Sequence, residues 1–382
     1  MPHRCAFAIT AYNSMATNDD FQSEILYEPL EGVERLENYR PGGYHPIQVG
    51  DHLHDRYRII HKLGHGSYST TWLARDEQNN NYVAVKICTG NSNPREMDIL
   101  SILTRPCDPA VKSPGRTMVP SILDTFTIHG PNGNHACYVT VPARASLSGV
   151  KDGSWIRLFQ LGVARALAAQ LVLVVDYIHT QGIIHGDLHI GNILLKSMPD
   201  LDQLSVEQLY EKYGAPELDP VVHLDDKPLP PGVPSHGIAP VWLGEASQDI
   251  TLPEARILLT DFGFLATEDD ITCEHVDTLG ILPPEWWEKW EARQQKFTED
   301  GTPINHKSYR SWRDRFEDSV QQPRRDSGMP VFDAKERAAI FDMLRPMLSF
   351  KPKNRSTTKQ ILETEWMVKW ALPEYEKGRK YG

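Results

Sequence analysis

The sequence predicts an α+β fold in which strands come first and helices follow, on three observations. Apolar positions alternate through "RYRIIHKLGHG", "STTWLARD" and, after the turn "EQNNN", "YVAVKIC", which reads as a run of short antiparallel strands. From residue 155 to 179 the pattern turns helical. The tail "AIFDMLRPMLSFKPKNRSTTKQILETEWMVKW" reads as two helices broken at Lys351-Pro352. Strands segregated from helices suit two lobes, and 382 residues suffice for one bilobal domain or two small ones.

In chain order, residues 1–45 form a polar lead-in that ends in the turn-rich "RPGGYHP". Residues 46–144 are assigned to the strand-rich lobe and 145–375 to the helical one. Within the first lobe "PREMDILSIL" is a helix with Pro94 at its start. "TMVPSILDTFTIHG" and "HACYVTVPA" are two more strands. Ala166 to Ile178 is the most apolar stretch; it holds Gln170 and Asp176, is too short to span a bilayer and reads as a buried helix. A Pro-rich, acidic insertion at about 197–254, with "DDKPLPPGVPSHGIAP", reads as a surface insertion rather than a further domain. The strand "ARILLTDFG" follows, then "LPPEWWEKWEARQQKF", a helix start with an aromatic face.

Hydrophobic content of 40% and charged content of 24% argue against wholesale disorder. A net charge of −11 argues against general nucleic-acid binding and mildly favours basic partners. The five cysteines are scattered with no CxxC pair, so neither a zinc site nor a disulfide framework is indicated and a reducing compartment fits. The amino terminus lacks the continuous apolar core of a secretion signal. These features lead us to expect a cytoplasmic or nuclear monomer without direct nucleic-acid or membrane contacts.

Chemistry-bearing residues fall in four places. "LGHGSYST" puts Gly64 and Gly66 between two strands, where missing side chains let backbone N–H groups approach phosphate oxygens; Ser69 stands where a third glycine would complete the pattern. Lys86, 22 positions after Gly64, lies in the β-branched strand "VAVKI". Glu96, ten positions on, can hold that lysine extended. "IIHGDLHIGNILL" separates Asp187 from Asn192 by five residues, and "TDFG" adds Asp261. A glycine pair alone is more often a hairpin turn, and a lone strand lysine an ordinary edge residue. All four in this order point to phosphate transfer, which needs positioning and charge cancellation more than covalent chemistry.

In that order the motifs resemble those of eukaryotic protein kinases. The phrase "YRPGGYHPIQVGDHLHDRYRIIHKLGHGSYSTTWLARD" and the 69 residues between Asn192 and Asp261 narrow the resemblance to the SR-protein kinases and their fungal relatives. The resemblance implies a bilobal protein-kinase-like fold with a small antiparallel β-rich N-lobe and a mainly helical C-lobe. It implies a Ser/Thr protein kinase using ATP and Mg²⁺ on protein substrates of the Arg/Ser-rich splicing-factor kind. On it, Asp187 accepts the substrate hydroxyl proton and Lys86 pairs with phosphates. Leu63, Gly64, His65, Gly66, Ser67, Lys86 and Glu96 bind ATP, while Asn192 and Asp261 hold the metal. The hinge follows "CYVTV", with Thr140 behind the adenine and Val141 to Ala143 facing it. "MLSFKPKNRSTTKQILETEWM" is similar to the last two kinase helices, with Arg355 in its usual place.

Departures from the pattern carry their own implications. Gly186 replaces the arginine that reads an activation-loop phosphate, which implies independence of such phosphorylation. His189 replaces a lysine, and a neutral or partly charged imidazole neutralises a γ-phosphate less well at pH 7. "HGDLHxGN" is also the wording of aminoglycoside and choline kinase relatives, so a small-molecule phosphotransferase is an alternative. No A-P-E or D-x-W-x-x-G phrase follows Asp261; Pro283-Pro284-Glu285 is not read as the former. Asp261 and Arg355 are 94 residues apart, about sixty fewer than the resembled pattern uses. The C-lobe is therefore expected to be incomplete, with an impaired, nucleotide-binding pseudokinase as a second alternative. Phe264 to about Arg325 is expected to be poorly anchored, and Trp286, Trp287 and Trp290 to lack a packing surface.

Overall fold

The computed structural model describes residues 25–92, 95–105, 113–197, 200–262, 276, 281–291, 293–302, 304 and 312–381. Its first lobe is a six-stranded antiparallel sheet made of β1 (His52–Leu53), β2 (Tyr57–Gly66), β3 (Ser69–Asp76), β4 (Asn81–Cys88), β5 (Asp124–Gly130) and β6 (Gly133–Thr140), in the order β1-β2-β3-β4-β6-β5. Helix α1 (Arg95–Thr104) belongs to the same lobe; Pro94 lies outside the described residues. The segment expected as one strand from Thr117 splits into a 3-10 turn at Pro114–Met118 and β5.

Successive strand residues point to opposite faces, and here both faces are apolar. Ile59, Trp72, Val83, Val85, Ile87, Cys137 and Val139 form one buried cluster, joined by Ile47, Leu53 and Ile238. Their neighbours Ile60, Leu73 and Tyr82 form another with Leu201 and Leu209. A sheet with two apolar faces needs cover on both, and the insertion supplies it. After β7 (Ala143–Ser146), α2 (Leu147–Asp152), α3 (Leu161–Thr180) and β8 (Ile193–Lys196), the chain returns to the first lobe as α4 (Val206–Tyr213). A capping box between Ser205 and Gln208 starts α4. Tyr210 Oη donates to the Ile60 carbonyl (2.9 Å), and Tyr82 N–H donates to Asp202 Oδ1 (2.7 Å). The expectation of a mere surface insertion therefore needs correction: this segment is part of the lobe's core.

The lead-in is drawn into the same packing. Tyr27, Leu36, Tyr39 and Tyr44 bury against Val221 and Val233 of the insertion, where β9 (Asp219–Pro220) pairs with β10 (His236–Gly237). Beneath them Glu34 pairs with Lys62 of β2, both side chains at most 2% exposed, and Tyr39 Oη donates to the same carboxylate. Val241 N–H then bonds the Lys62 carbonyl (2.8 Å).

The second lobe is built on α3 and on a small sheet of β7, β8 and β11 (Ile257–Leu259). Gln170 accounts for a polar residue in an apolar helix. Its amide donates to the Ala255 carbonyl (2.5 Å) and accepts Ile257 N–H (3.2 Å), which ties α3 to β11. Among the described residues, α3 is the one helix long and apolar enough to cross a membrane, five residues longer at its start than Ala166–Ile178. Here it packs against the final helices. Helix Ala334–Met347 is anchored by Glu336, which takes both Arg165 nitrogens (2.8 and 2.6 Å) and Trp366 Nε1–H (3.2 Å). The tail is more broken than two helices: a 3-10 turn at Pro352–Asn354, helix Thr358–Leu362, a π-helical turn at Met367–Ala371 and helix Leu372–Tyr381.

Much of Phe264 to Arg325 lies outside the described residues. Two of the three tryptophans find a surface of their own, contrary to expectation. Trp287 is 7% exposed in a cluster with Val276, Leu282 and Phe297, against which Trp290 and Phe350 pack; Trp286 stays half exposed. Glu285 pairs with Lys351 (2.6 Å), while Arg355 donates to the Ser349 and Phe350 carbonyls (2.7 and 3.1 Å).

Two outcomes follow for stability. Glu34→Ala strands a buried ammonium and is expected to cost about 3–5 kcal/mol in chemical denaturation. Burial, with His135 beside it, pushes the His45 imidazole from 6.5 to about 4, and burial does the same to His61. A depressed histidine favours the fold above its unfolded value, and that contribution is lost as pH falls through the folded one. The thermal midpoint should therefore fall by several degrees between pH 6.5 and pH 4. A flat midpoint across that range would show that these rings titrate freely.

Candidate active site

Lys86 is set by strand register. β4 is flanked by β3 and β6, with Lys86 opposite Thr71 and Tyr138, so it is an interior lysine rather than an edge residue. Its Nζ lies 2.8 Å from Glu96 Oε2 and 2.5 Å from Asp261 Oδ1. The other Glu96 oxygen accepts Asp261 N–H (3.0 Å), so three residues close on one another. Burial alone would lower the Lys86 ammonium, but Tyr138 and the Asp261 and Glu96 carboxylates outweigh it and hold it well above the ordinary lysine range. Burial would likewise raise Asp261, and Lys86 overrides that to hold it low. Asp261 has φ +60°, a left-handed backbone that aspartate tolerates better than branched residues do.

The loop before β8 brings Asp187 and Asn192 together. Gly186 turns at φ +86°, where a side chain would be strained. Asp187 N–H donates to His185 Nδ1 (3.3 Å), and His185 Nε2 reaches the Thr260 carbonyl (2.9 Å), one residue before Asp261. The His185 ring also packs on Phe262, 4.8 Å between centroids, and burial keeps the imidazole below its usual range. Asn192 Nδ2 donates to the Asp187 carbonyl (3.0 Å) and to Asp187 Oδ2 (3.2 Å). Asn192 O in turn accepts Thr260 N–H (3.0 Å). His185, Thr260 and Asn192 thus stitch Asp187 to Asp261.

The glycine strand is held from behind. Nothing lies within 4 Å of where a β-carbon would stand at Gly64 or Gly66, so both present open backbone. Tyr44 Oη donates to the Gly66 carbonyl (2.8 Å), and His65 Nε2 lies 3.3 Å from the Gly32 carbonyl. Leu63 packs against the Ile60–Leu73–Leu209 cluster, and Ser67 lies exposed in the turn. Of the expected residues, Lys86, Glu96 and Asp261 are joined directly, as are Asp187 and Asn192; Leu63 and His65 are engaged by the insertion and the lead-in. Strand β6 ends at Thr140, opposite Ala84, and Val141 is exposed. Tyr44, Tyr138 and Thr260 were not singled out from the sequence, which carries no spacing signal for them.

The residues present fit a magnesium nucleotide. Asn192 uses its amide nitrogen on Asp187 and keeps its Oδ1 free of that bond, and Asp261 offers a carboxylate beside the lysine. Two such oxygens plus phosphate oxygens are an ordinary set for a hard dication, which does not need a dedicated cage of carboxylates.

Comparison with known proteins agrees. Residues 57–203 match the family described as "Protein kinase domain". The chain is 36% identical over 166 residues to "Protein kinase dsk1" of Schizosaccharomyces pombe, covering 42% of this chain and 30% of that protein. It is 35% identical over 176 residues to "Serine/threonine-protein kinase SRPK" of Physarum polycephalum, covering 45% and 41%. It is 33% identical over 175 residues to "SRSF protein kinase 3" of Homo sapiens, covering 45% and 31%. The matched part spans less than half the length of these relatives. With the geometry above, these matches show a bilobal α+β fold carrying a protein kinase domain at residues 57–203, similar in sequence to SR-protein kinases.

Proposed function

We propose that this chain transfers the γ-phosphate of ATP to Ser or Thr hydroxyls of protein substrates, of the Arg/Ser-rich kind. The observation that carries the reading is the junction of Lys86 and Glu96, ten residues apart, with Asp261, which lies 175 and 165 residues from them in sequence. In this reading Lys86 pairs with phosphate oxygens while Glu96 keeps it extended. Asp187 accepts the hydroxyl proton on its carboxylate, whose orientation Asn192 sets. Asn192 Oδ1 and Asp261 would hold Mg²⁺, which when bound neutralises phosphate charge. The net charge of −11 supports a basic substrate, and the scattered cysteines support a place in the cytoplasm or nucleus. The small-molecule alternative finds no support among the three relatives, all protein kinases.

The decisive assay is transfer of labelled phosphate from ATP to an Arg/Ser-rich peptide. Asp187→Asn should reduce it by about 10²–10⁴-fold, the usual contribution of a general base. Nucleotide binding without any wild-type transfer would instead identify an inactive pseudokinase. Asp261→Asn should abolish the Mg²⁺ dependence of nucleotide binding, since a neutral amide is a poor ligand for a hard dication. An unchanged Mg²⁺ titration would remove Asp261 from the site.

A further inference from the structure

Two imidazoles of the catalytic loop are held alike. His185 Nδ1 accepts the N–H of Asp187, and His189 Nδ1 accepts the N–H of Gly191 (3.0 Å). A ring nitrogen that accepts a hydrogen bond carries no proton, so in this geometry the N–H of His189 is at Nε2. That Nε2 lies 3.6 Å from Asp187 Oδ2, the oxygen that also takes Asn192 Nδ2 at 3.2 Å. Gly191 makes room for the arrangement. A β-carbon there would fall 2.6 Å from His189 Cε1 and 2.8 Å from Nδ1, so any larger residue drives the ring away.

We propose that His189 is a positioning residue for Asp187. It aims its Nε2–H at the carboxylate and, with Asn192, fixes the orientation in which the base meets an incoming hydroxyl. This rests on the protein-kinase reading above. A small rotation of either side chain closes 3.6 Å to a direct hydrogen bond. The ring is not a weaker lysine here: a lysine offers three donors and no acceptor, so it could not take the Gly191 N–H.

The test uses the full chain, an Arg/Ser-rich peptide and Mg²⁺–ATP. Asparagine keeps an acceptor near the Nδ1 position and lacks the distal donor; glutamine restores an N–H near Nε2. His189→Asn should lower kcat about tenfold, with the KM for nucleotide and the Gly191 amide's exchange protection unchanged. His189→Gln should recover part of that kcat, and Gly191→Ala should resemble His189→Asn. A His189→Asn enzyme with wild-type kcat, or one no worse than His189→Gln, overturns the proposal. A wild-type chain that transfers no phosphate sinks the kinase reading instead, and the long-range ¹H–¹⁵N spectrum of the imidazole then decides. An Nε2–H tautomer whose Nε2 resonance moves on Asp187→Ala sustains the proposal; an Nδ1–H tautomer, or a resonance indifferent to Asp187, overturns it.

Discussion

The Lys86 ammonium draws Glu96 from the first lobe and Asp261 from the second onto one point, and the cleft depends on that attraction. Two carboxylates beside one ammonium would leave net negative charge if the group were isolated. In the proposed reading one of the two carboxylates would be available to hold a cation bound with the phosphates. The same pairing explains why the Lys86 ammonium and the Asp261 carboxylate are held in their charged forms. The lobes are joined here by charge, whereas elsewhere they are joined by apolar packing.

Apolar packing imposes a second constraint. The β2–β4 strands carry large residues on both faces, and a sheet of this kind cannot leave either face in water. The insertion between β8 and β11 and the lead-in before β1 meet that need together, burying Lys62 and Glu34 as a pair between them. The cover reaches the chemistry: Tyr44 and the Gly32 carbonyl hold Gly66 and His65 of the glycine strand. The lead-in, itself packed on the insertion, thereby helps shape the glycine strand.

In the second lobe the loop from His185 to Asn192 is organised by short-range hydrogen bonds. His185 and His189 each fold back on an amide two residues on, and Asn192 closes the turn on Asp187. Such a loop keeps its shape with little help from the lobe floor, consistent with Ile184 standing in solvent. Residues 281–297 are anchored instead by the cluster around Trp287 and by the Glu285–Lys351 pair.

Sequence alone determined what is set by local periodicity and by fixed spacing. The strand run, helix α1, the apolar helix α3, the five-residue step from Asp187 to Asn192 and the identity of Lys86 and Asp261 were all legible, because each is a pattern within a short stretch. Tertiary structure alone decided which long-range partners those residues take. No spacing signals that Lys62 needs Glu34, that Gln170 serves two carbonyl and amide partners around Ala255 and Ile257, or that Tyr210 caps a strand 150 residues earlier. The insertion's place in the core is illegible for the same reason: its Pro-rich, acidic composition belongs mostly to exposed positions, while Leu201, Leu209, Val221 and Val233 are too sparse to form a period. Their role exists only against the apolar face of a sheet that lies elsewhere in the chain, and burial of that face is a property of the folded whole.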